Sequence, residues 1–178
     1  MPAYVALLRA INVGGRNSFA MAALRTVCAE LGATHVATYI QSGNVVFKHP
    51  QRTIAKLTTQ LAAAIAATAG FEVPVVLRTA AEWTSAIANN PFTTDDVHCS
   101  FLPAVPASTA LAKIAPATFA PSRFSLVGRE VYLSLPDGIG NSKLAGALSR
   151  ALPTATTRNW RTVVTLGEML AELPQVAG

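Results

Sequence analysis

Charge is scarce in this chain. Only 13% of its 178 residues are Asp, Glu, Lys or Arg, while 51% are hydrophobic. Disorder goes with low hydrophobicity and high net charge, so this composition excludes it. The 11 Gly and 11 Pro show no period, which excludes a collagenous chain. A long apolar run is missing too. Mean hydropathy is +0.38, yet the longest tempting stretch, Leu57 to Phe71, is shorter than the roughly 20 residues needed to span a bilayer. Thr58, Thr59, Gln60 and Thr68 interrupt it, and much of the rest is alanine, a helix former. The segment Met1 to Arg9 lacks the basic region and small-residue cleavage site of a signal peptide. No membrane association is expected, and the compartment expected is the cytoplasm.

Cysteine is nearly absent. Cys28 falls in helical register with Met21, Leu24 and Leu31, and Cys99 alternates with Val97 and Phe101 along a strand. Both read as small core residues, and two thiols make no disulfide framework. Catalytic signatures are lacking as well. The chain has no His-Glu-x-x-His, no Cys-x-x-Cys and no Gly-x-Ser-x-Gly. The histidines are His35, His49 and His98. Asp95, Asp96, His98 and Cys99 are close in sequence, but adjacent strand residues point to opposite faces, and the ligand count falls short of a metal site. No catalytic residue, no metal and no cofactor is expected. The net charge of +5 comes without a basic run, since the arginines are scattered from Arg9 to Arg161. It gives only weak support for a nucleic-acid partner.

The apolar pattern gives the architecture. Tyr4 to Ile11 reads as a buried strand ending at Asn12-Val13-Gly14-Gly15. Ala20 to Leu31 reads as a helix, followed by Gly32 as a cap. Residues 35–48 form a hairpin across Gln41-Ser42-Gly43-Asn44, with Val36, Thr38 and Ile40 on one face. Gln51 to Ala69 is a helix with Ile54, Leu57, Leu61 and Ile65 inward, and Val73 to Arg78 is a strand. The order β-α-β-β-α-β is ferredoxin-like. A short helix at about 80–88 follows. The pattern then repeats: strand 97–102, short helix 108–114, hairpin 123–135 across Gly128-Arg129, helix 141–152 and strand 155–158. A last helix covers 160–173, unless Thr165-x-x-Glu168 is its capping box and it starts later. The expected fold is α+β, with two ferredoxin-like halves in tandem, a connecting helix and a C-terminal helix. The expected divisions are 1–79, a connector at 80–96, and 97–178. Strands 4–11 and 73–77 are apolar on both sides, so both faces of their sheet should be covered. That disfavours an open RNA-binding sheet of the RRM type, as does the lack of its aromatic signature in Asn44-Val45-Val46-Phe47-Lys48.

Three polar segments stand out. Asn12-Val13-Gly14-Gly15-Arg16-Asn17 joins a strand to a helix. Its glycines can turn backbone N–H groups toward an anion, with Arg16 as a clamp. It can equally be a plain turn, with Ser18 capping the helix. Asp137-Gly138-Ile139-Gly140-Asn141-Ser142-Lys143 opens another helix, but Ser142 precedes Lys143 and so breaks the phosphate-loop order. Thr157-Arg158-Asn159-Trp160 offers a fork donor, an amide and a ring, as a structural clasp or as ligand contacts.

Leu7 to Gly15, Met21-x-x-Leu24-Arg25, Thr38 to Phe47, Ser142-Lys143-Leu144 and Thr157-Arg158-Asn159-Trp160 together resemble a bacterial family, domain-of-unknown-function family 1697. The resemblance implies duplicated ferredoxin-like halves and no known activity. Ala10 stands where the family pattern implies Gly, and Asn17-Ser18-Phe19 where it implies a more basic stretch. The ligand-binding residues expected are Arg9, Asn12, Gly14, Gly15, Arg16, Asn44, Arg158 and Asn159, for an anionic small molecule or a nucleic-acid phosphate. Two other readings stand beside this one. A protein-interaction module would use Trp83, Phe92 or Trp160. An enzyme would need His35 or Asp137 beside the glycine loop. The oligomeric state stays open.

Overall fold

A computed structural model describes residues 1–174. Their order is β1 (Ala3–Leu8), α1 (Met21–Glu30), β2 (Thr34–Tyr39), β3 (Asn44–Lys48), α2 (Ile54–Ala69), β4 (Val75–Thr79), α3 (Ala80–Ala88), β5 (Val97–Phe101), β6 (Arg123–Val127), β7 (Glu130–Ser134), α4 (Lys143–Ala151), β8 (Thr156–Asn159) and α5 (Trp160–Glu172). The strands make two four-stranded antiparallel sheets, β2-β3-β1-β4 and β6-β7-β5-β8. This is the α+β fold that the apolar pattern predicts.

The chain divides into two compact units, Met1–Ser85 with the chain from Val164 onward, and Ala86–Val163. These limits differ from 1–79, 80–96 and 97–178, which follow the repeat of the strand pattern. Residues 175–178 of that last division lie outside the described residues.

In the first unit, alternation along β1 sends Tyr4, Ala6 and Leu8 to one face, where they meet Leu24, Val27 and Cys28 of α1 and Leu57, Leu61 and Ile65 of α2. Fully burying each such Leu or Val contributes about 1.5–3 kcal/mol. Val5, Leu7, Val46 and Val76, on the opposite face, are buried as well. Neither side of this sheet is open for base stacking, so the burial agrees with the two-sided apolar pattern. Lys48, buried in β3, donates to the Pro174 carbonyl. Gly70 ends α2 with φ +80°. A capping box starts α3: the Thr79 N–H donates to Glu82 Oε2 at 2.8 Å, and the Glu82 N–H donates to Thr79 Oγ1 at 3.2 Å.

In the second unit, α4 lays Leu144 and Leu148 against Leu102, Val131, Leu133 and Leu135. The helix expected at 108–114 does not form. The segment runs as successive turns, with Ala110, Ala112 and Ile114 each donating to the carbonyl three residues back, and a 3₁₀ turn follows at Pro116–Phe119. So short a stretch between Pro106 and Pro116 does not recover the cost of helix nucleation. The start of α5 is settled at Trp160, not after Thr165. The Asn159 side chain accepts from the Thr162 N–H at 2.8 Å and so caps the helix. Its buried stripe is Val163, Leu166 and Leu170. Ile40 does not continue the β2 face. It has φ +48° and is 51% exposed.

The tightest approach in the first unit is at Gly43, whose φ is +74°. A Cβ there would sit 2.6 Å from Leu8 Cβ and 2.7 Å from Ile11 Cδ1. Overpacking and left-handed backbone each cost about 1–3 kcal/mol, so Gly43→Ala should destabilise by about 2–4 kcal/mol in denaturant unfolding. A loss below 1 kcal/mol would show that the turn relaxes freely, by about the size of one ordinary surface substitution.

Candidate functional site

β1 ends at Leu8, and the chain then folds into a small pinned hairpin. The Arg9 N–H donates to Pro74 O at 3.0 Å. The Asn12 N–H donates to Asn17 O at 3.0 Å, and the Arg16 N–H to Val13 O at 3.0 Å, with a β-bridge between Val13 and Arg16. Gly14 and Gly15 occupy the two central positions, at φ +57° and +73°. Positive φ at both positions is the type I′ hairpin pattern, and it explains two consecutive glycines. The turn is therefore not the first turn of α1. Ser18 does not cap that helix either: the N-cap is Ala20, without a side-chain bond. The segment enters α1 through Phe19, buried in the core, and this anchor places the cap beyond Ser18.

The asparagine side chains hold this loop together. Asn12 Nδ2 donates to Phe19 O at 2.9 Å and to Gln41 O at 2.7 Å, and Asn12 Oδ1 accepts from the Phe19 N–H at 2.8 Å. Asn17 Nδ2 donates to Ala10 O at 3.0 Å. The Leu8 N–H donates to Gly43 O at 2.8 Å, and Asn44 Nδ2 donates to Tyr39 O at 3.1 Å and to Ser42 Oγ at 2.9 Å. Residues 9–19 and 40–44, distant in sequence, thus form one cluster at the end of the sheet where Leu7 pairs with Asn44. Ala10, Asn12 and Asn17 all have positive φ, at +55°, +54° and +52°. A position at +55° is one where glycine is at ease and alanine is strained, which accounts for the glycine that the family pattern implies at residue 10.

Of the expected ligand residues in this unit, Arg9 is half-buried, and Gly14, Gly15 and Arg16 are exposed. The turn bond uses the Arg16 N–H, so the Gly14 and Gly15 N–H groups take no part in it. Asn44 is fully buried and Asn12 is committed to backbone groups, so both shape the cluster from within. Val13 is 66% exposed beside the glycines. His35 opens β2 at the opposite end of the sheet, next to Thr34, which pairs with Lys48. It is not beside the glycine turn. His49 is structural: Nε2 meets Leu31 O at 2.8 Å and Nδ1 accepts from the Gln51 N–H at 3.0 Å.

Arg158 and Asn159 belong to the second unit. Arg158 is half-buried, with Nη1 donating to Thr157 O at 2.9 Å, and burial pulls its guanidinium down to about 10, still charged at neutral pH. Asn159 spends its amide oxygen on the α5 cap. Ser142 caps α4, its Oγ accepting from the Ala145 N–H at 3.1 Å, and this is the structural role open to the second glycine loop. Asp96 Oδ2 accepts from Ser134 Oγ at 3.0 Å, and its carboxyl is held below the usual range, first by the Thr94 side chain. Among the described residues, no three His, Cys, Asp or Glu side chains gather as a metal site. No described helix is long and apolar enough to cross a membrane.

None of the rings named for an interaction surface is fully exposed. Trp83 is fully buried. Trp160 is half-buried, edge-on to Tyr132 at 6.3 Å between centroids. Phe92 is half-buried under the Arg123 guanidinium, 5.1 Å from its centre. Missed in the sequence were the steric demand at Gly43 and the Thr79-x-x-Glu82 box, although the box has a readable signature.

A family model described as "Protein of unknown function (DUF1697)" matches residues 1–132. No curated protein matches the chain. Among solved structures, the chain is similar to the conserved bacterial protein SP0830 from Streptococcus pneumoniae. The two are 22% identical, with a TM-score of 0.81, over 97% of this chain and 99% of that one. At that identity the likeness speaks for the fold.

Two outcomes are expected from this geometry. Ala10→Gly should stabilise the protein by about 0.5–1 kcal/mol, because relief of left-handed strain exceeds the entropy that glycine adds to the unfolded chain; a lower unfolding midpoint would contradict it. Both cysteines are fully buried, and burial pushes the Cys28 thiol up to about 12. Iodoacetamide at mildly alkaline pH should leave the native protein unmodified and alkylate both thiols after unfolding, as read by intact mass.

Proposed function

The chain belongs to the family of unknown function DUF1697, and from that premise, which carries no activity, we propose that the loop cluster after β1 binds an anionic small molecule. The carrying observation is the exposed Gly14-Gly15 turn, whose two N–H groups lie outside the turn's own hydrogen bond and stand next to Arg16. Backbone amides at positive φ can cradle anionic oxygens, and a guanidinium beside them adds a charge-assisted bond. Arg9, half-buried at the base of the loop, is the second cation. Asn12 and Asn44 do not touch the ligand in this reading. They keep the glycine turn in shape through Gln41, Phe19 and Tyr39. Arg158 and Asn159 are assigned to their own unit, where the cap on α5 uses the Asn159 side chain.

The reading is a binding protein; His35, one of the two groups that an enzyme would need beside the turn, stands at the other end of the sheet. Two buried cysteines outside any disulfide fit a reducing compartment, and the cytoplasm is the place proposed. A scattered set of arginines favours a small anion over a nucleic-acid backbone, which calls for a basic stripe.

The test is a melting-temperature and calorimetric screen with inorganic pyrophosphate, adenosine triphosphate, glucose 6-phosphate and a single-stranded oligodeoxynucleotide. At least one small anion should raise the melting temperature. Arg16→Ala should weaken that anion about tenfold, equivalent to about 1.4 kcal/mol. Binding of the oligonucleotide alone, no binding at all, or equal binding by Arg16→Ala would each overturn the reading.

A further inference from the structure

The second unit contains a cavity of about 300 Å³ between α4 and its sheet. We infer that this cavity takes up a neutral, largely apolar small molecule carrying one hydrogen-bonding oxygen. The inference is independent of the anion site.

The space has a structural origin. In the first unit, α1 and α2 both lay large side chains on one sheet face. In the second, the segment between β5 and β6 forms turns instead of the expected helix, so α4 is the one α-helix among the described residues of that face. The residues that α4 turns toward the space are short: Ala145, Gly146 and Ser149. They lie at helical spacing beside Leu148, so one stripe of the helix leaves room where a larger stripe would have filled it. The sheet side is apolar at Val131 and Leu133.

Its floor is polar at one spot. Ser100 and Thr157 are paired across β5 and β8, and their hydroxyls lie 2.6 Å apart. Ser100 is only 7% exposed. One O–H is consumed in the bond between them. The other proton is left over, and so are lone pairs on both oxygens. The pair can therefore donate one bond and accept another, which suits an alcohol, phenol or ketone.

The lining also excludes a class of ligand. None of the described residues that line the cavity is charged. Arg150 is exposed on α4 and is not among the lining residues, although its Nη1 is 3.5 Å from where a Cβ on Gly146 would lie. Burying an ion without a partner is costly, so a neutral occupant is favoured. Size sets the scale. An apolar cavity of about 150 Å³ holds benzene, so twice that volume admits a fused two-ring molecule. Ile139 lines the space while 42% exposed, which gives it an opening to solvent.

The probes are 1-naphthol, naphthalene and 1-naphthyl phosphate, titrated into the full chain and followed by amide chemical shifts. The expected order of affinity is 1-naphthol, then naphthalene, then the phosphate, with shifts in α4, β5 and β8. Thr157→Val should weaken 1-naphthol about two- to tenfold and leave naphthalene unchanged. Gly146→Leu should abolish both shifts. A Cβ there would meet only Arg150 Nη1, at 3.5 Å, and leucine favours a helix over glycine, so its melting temperature should not fall. Failure of 1-naphthol to shift α4 in the parent would overturn the inference. So would unchanged binding in a folded Gly146→Leu, or a preference for the phosphate.

Discussion

The end of the first sheet depends on one missing side chain. Gly43 lets the Gln41-to-Asn44 turn lie directly on Leu8 and Ile11, at distances where a methyl group would collide. From that contact follow the bond from the Leu8 N–H to Gly43 O and the position of Gln41 O, which accepts from Asn12. Asn12 in turn sets Phe19, and Phe19 anchors the chain as it enters α1. The exposed glycine turn is thus fixed from below by contacts that begin at a buried glycine. Strain gathers in the same place. Ala10, Asn12, Asn17 and Ile40 all hold left-handed backbone, at a cost of order 1–2 kcal/mol for Ala10 and Ile40 and less for the asparagines. Such conformations persist only where surrounding bonds over-determine them, and here the asparagine amides do so.

The two units show how one strand pattern yields different interiors. Both sheets share the order second, third, first, fourth strand. In the first unit, two regular helices bring Leu24, Val27, Leu57, Leu61 and Ile65 onto the sheet. In the second, Leu144 and Leu148 of α4 are joined by Ala110, Leu111 and Phe119 from the turn segment and its 3₁₀ end, which are only partly buried. Apolar area is still removed from water, but without the periodic interdigitation of a helix pair. The space beside α4 is lined on the helix by Ala145, Gly146 and Ser149, where short side chains leave the sheet less fully covered.

The strands and long helices were legible because burial has a pattern. β1 and β3 are short runs buried on both faces, and Leu57, Leu61 and Ile65 recur at helical spacing. The glycine turn was legible as a feature but misplaced in role. Gly14-Gly15 reads the same in sequence whether it opens a helix or closes a hairpin, and only the bridge between Val13 and Arg16 separates the two. Left-handed Ala10 and Ile40 could not be read, since neither residue type advertises positive φ. The segment 108–114 was misread because alanine and leucine favour a helix locally, whereas its length between prolines does not sustain one.

Polar residues were the hardest to assign, for a physical reason. An asparagine amide satisfies a backbone carbonyl as readily as it meets a ligand, so Asn12, Asn44 and Asn159 look alike in sequence. The structure gives each an internal partner: Gln41 and Phe19, Tyr39 and Ser42, and the Thr162 amide. A guanidinium differs, because it cannot be buried cheaply and has no acceptor role. At the first loop Arg16 and the two glycines are exposed, and the Gly14 and Gly15 N–H groups lie outside the turn's own hydrogen bond. In the binding reading proposed for this loop, those donors would select for acceptors, of which anionic oxygen is a strong one. The internal bonding of Asn12 thus spends its amide on the fold and leaves Arg16 as the charged side chain of the turn.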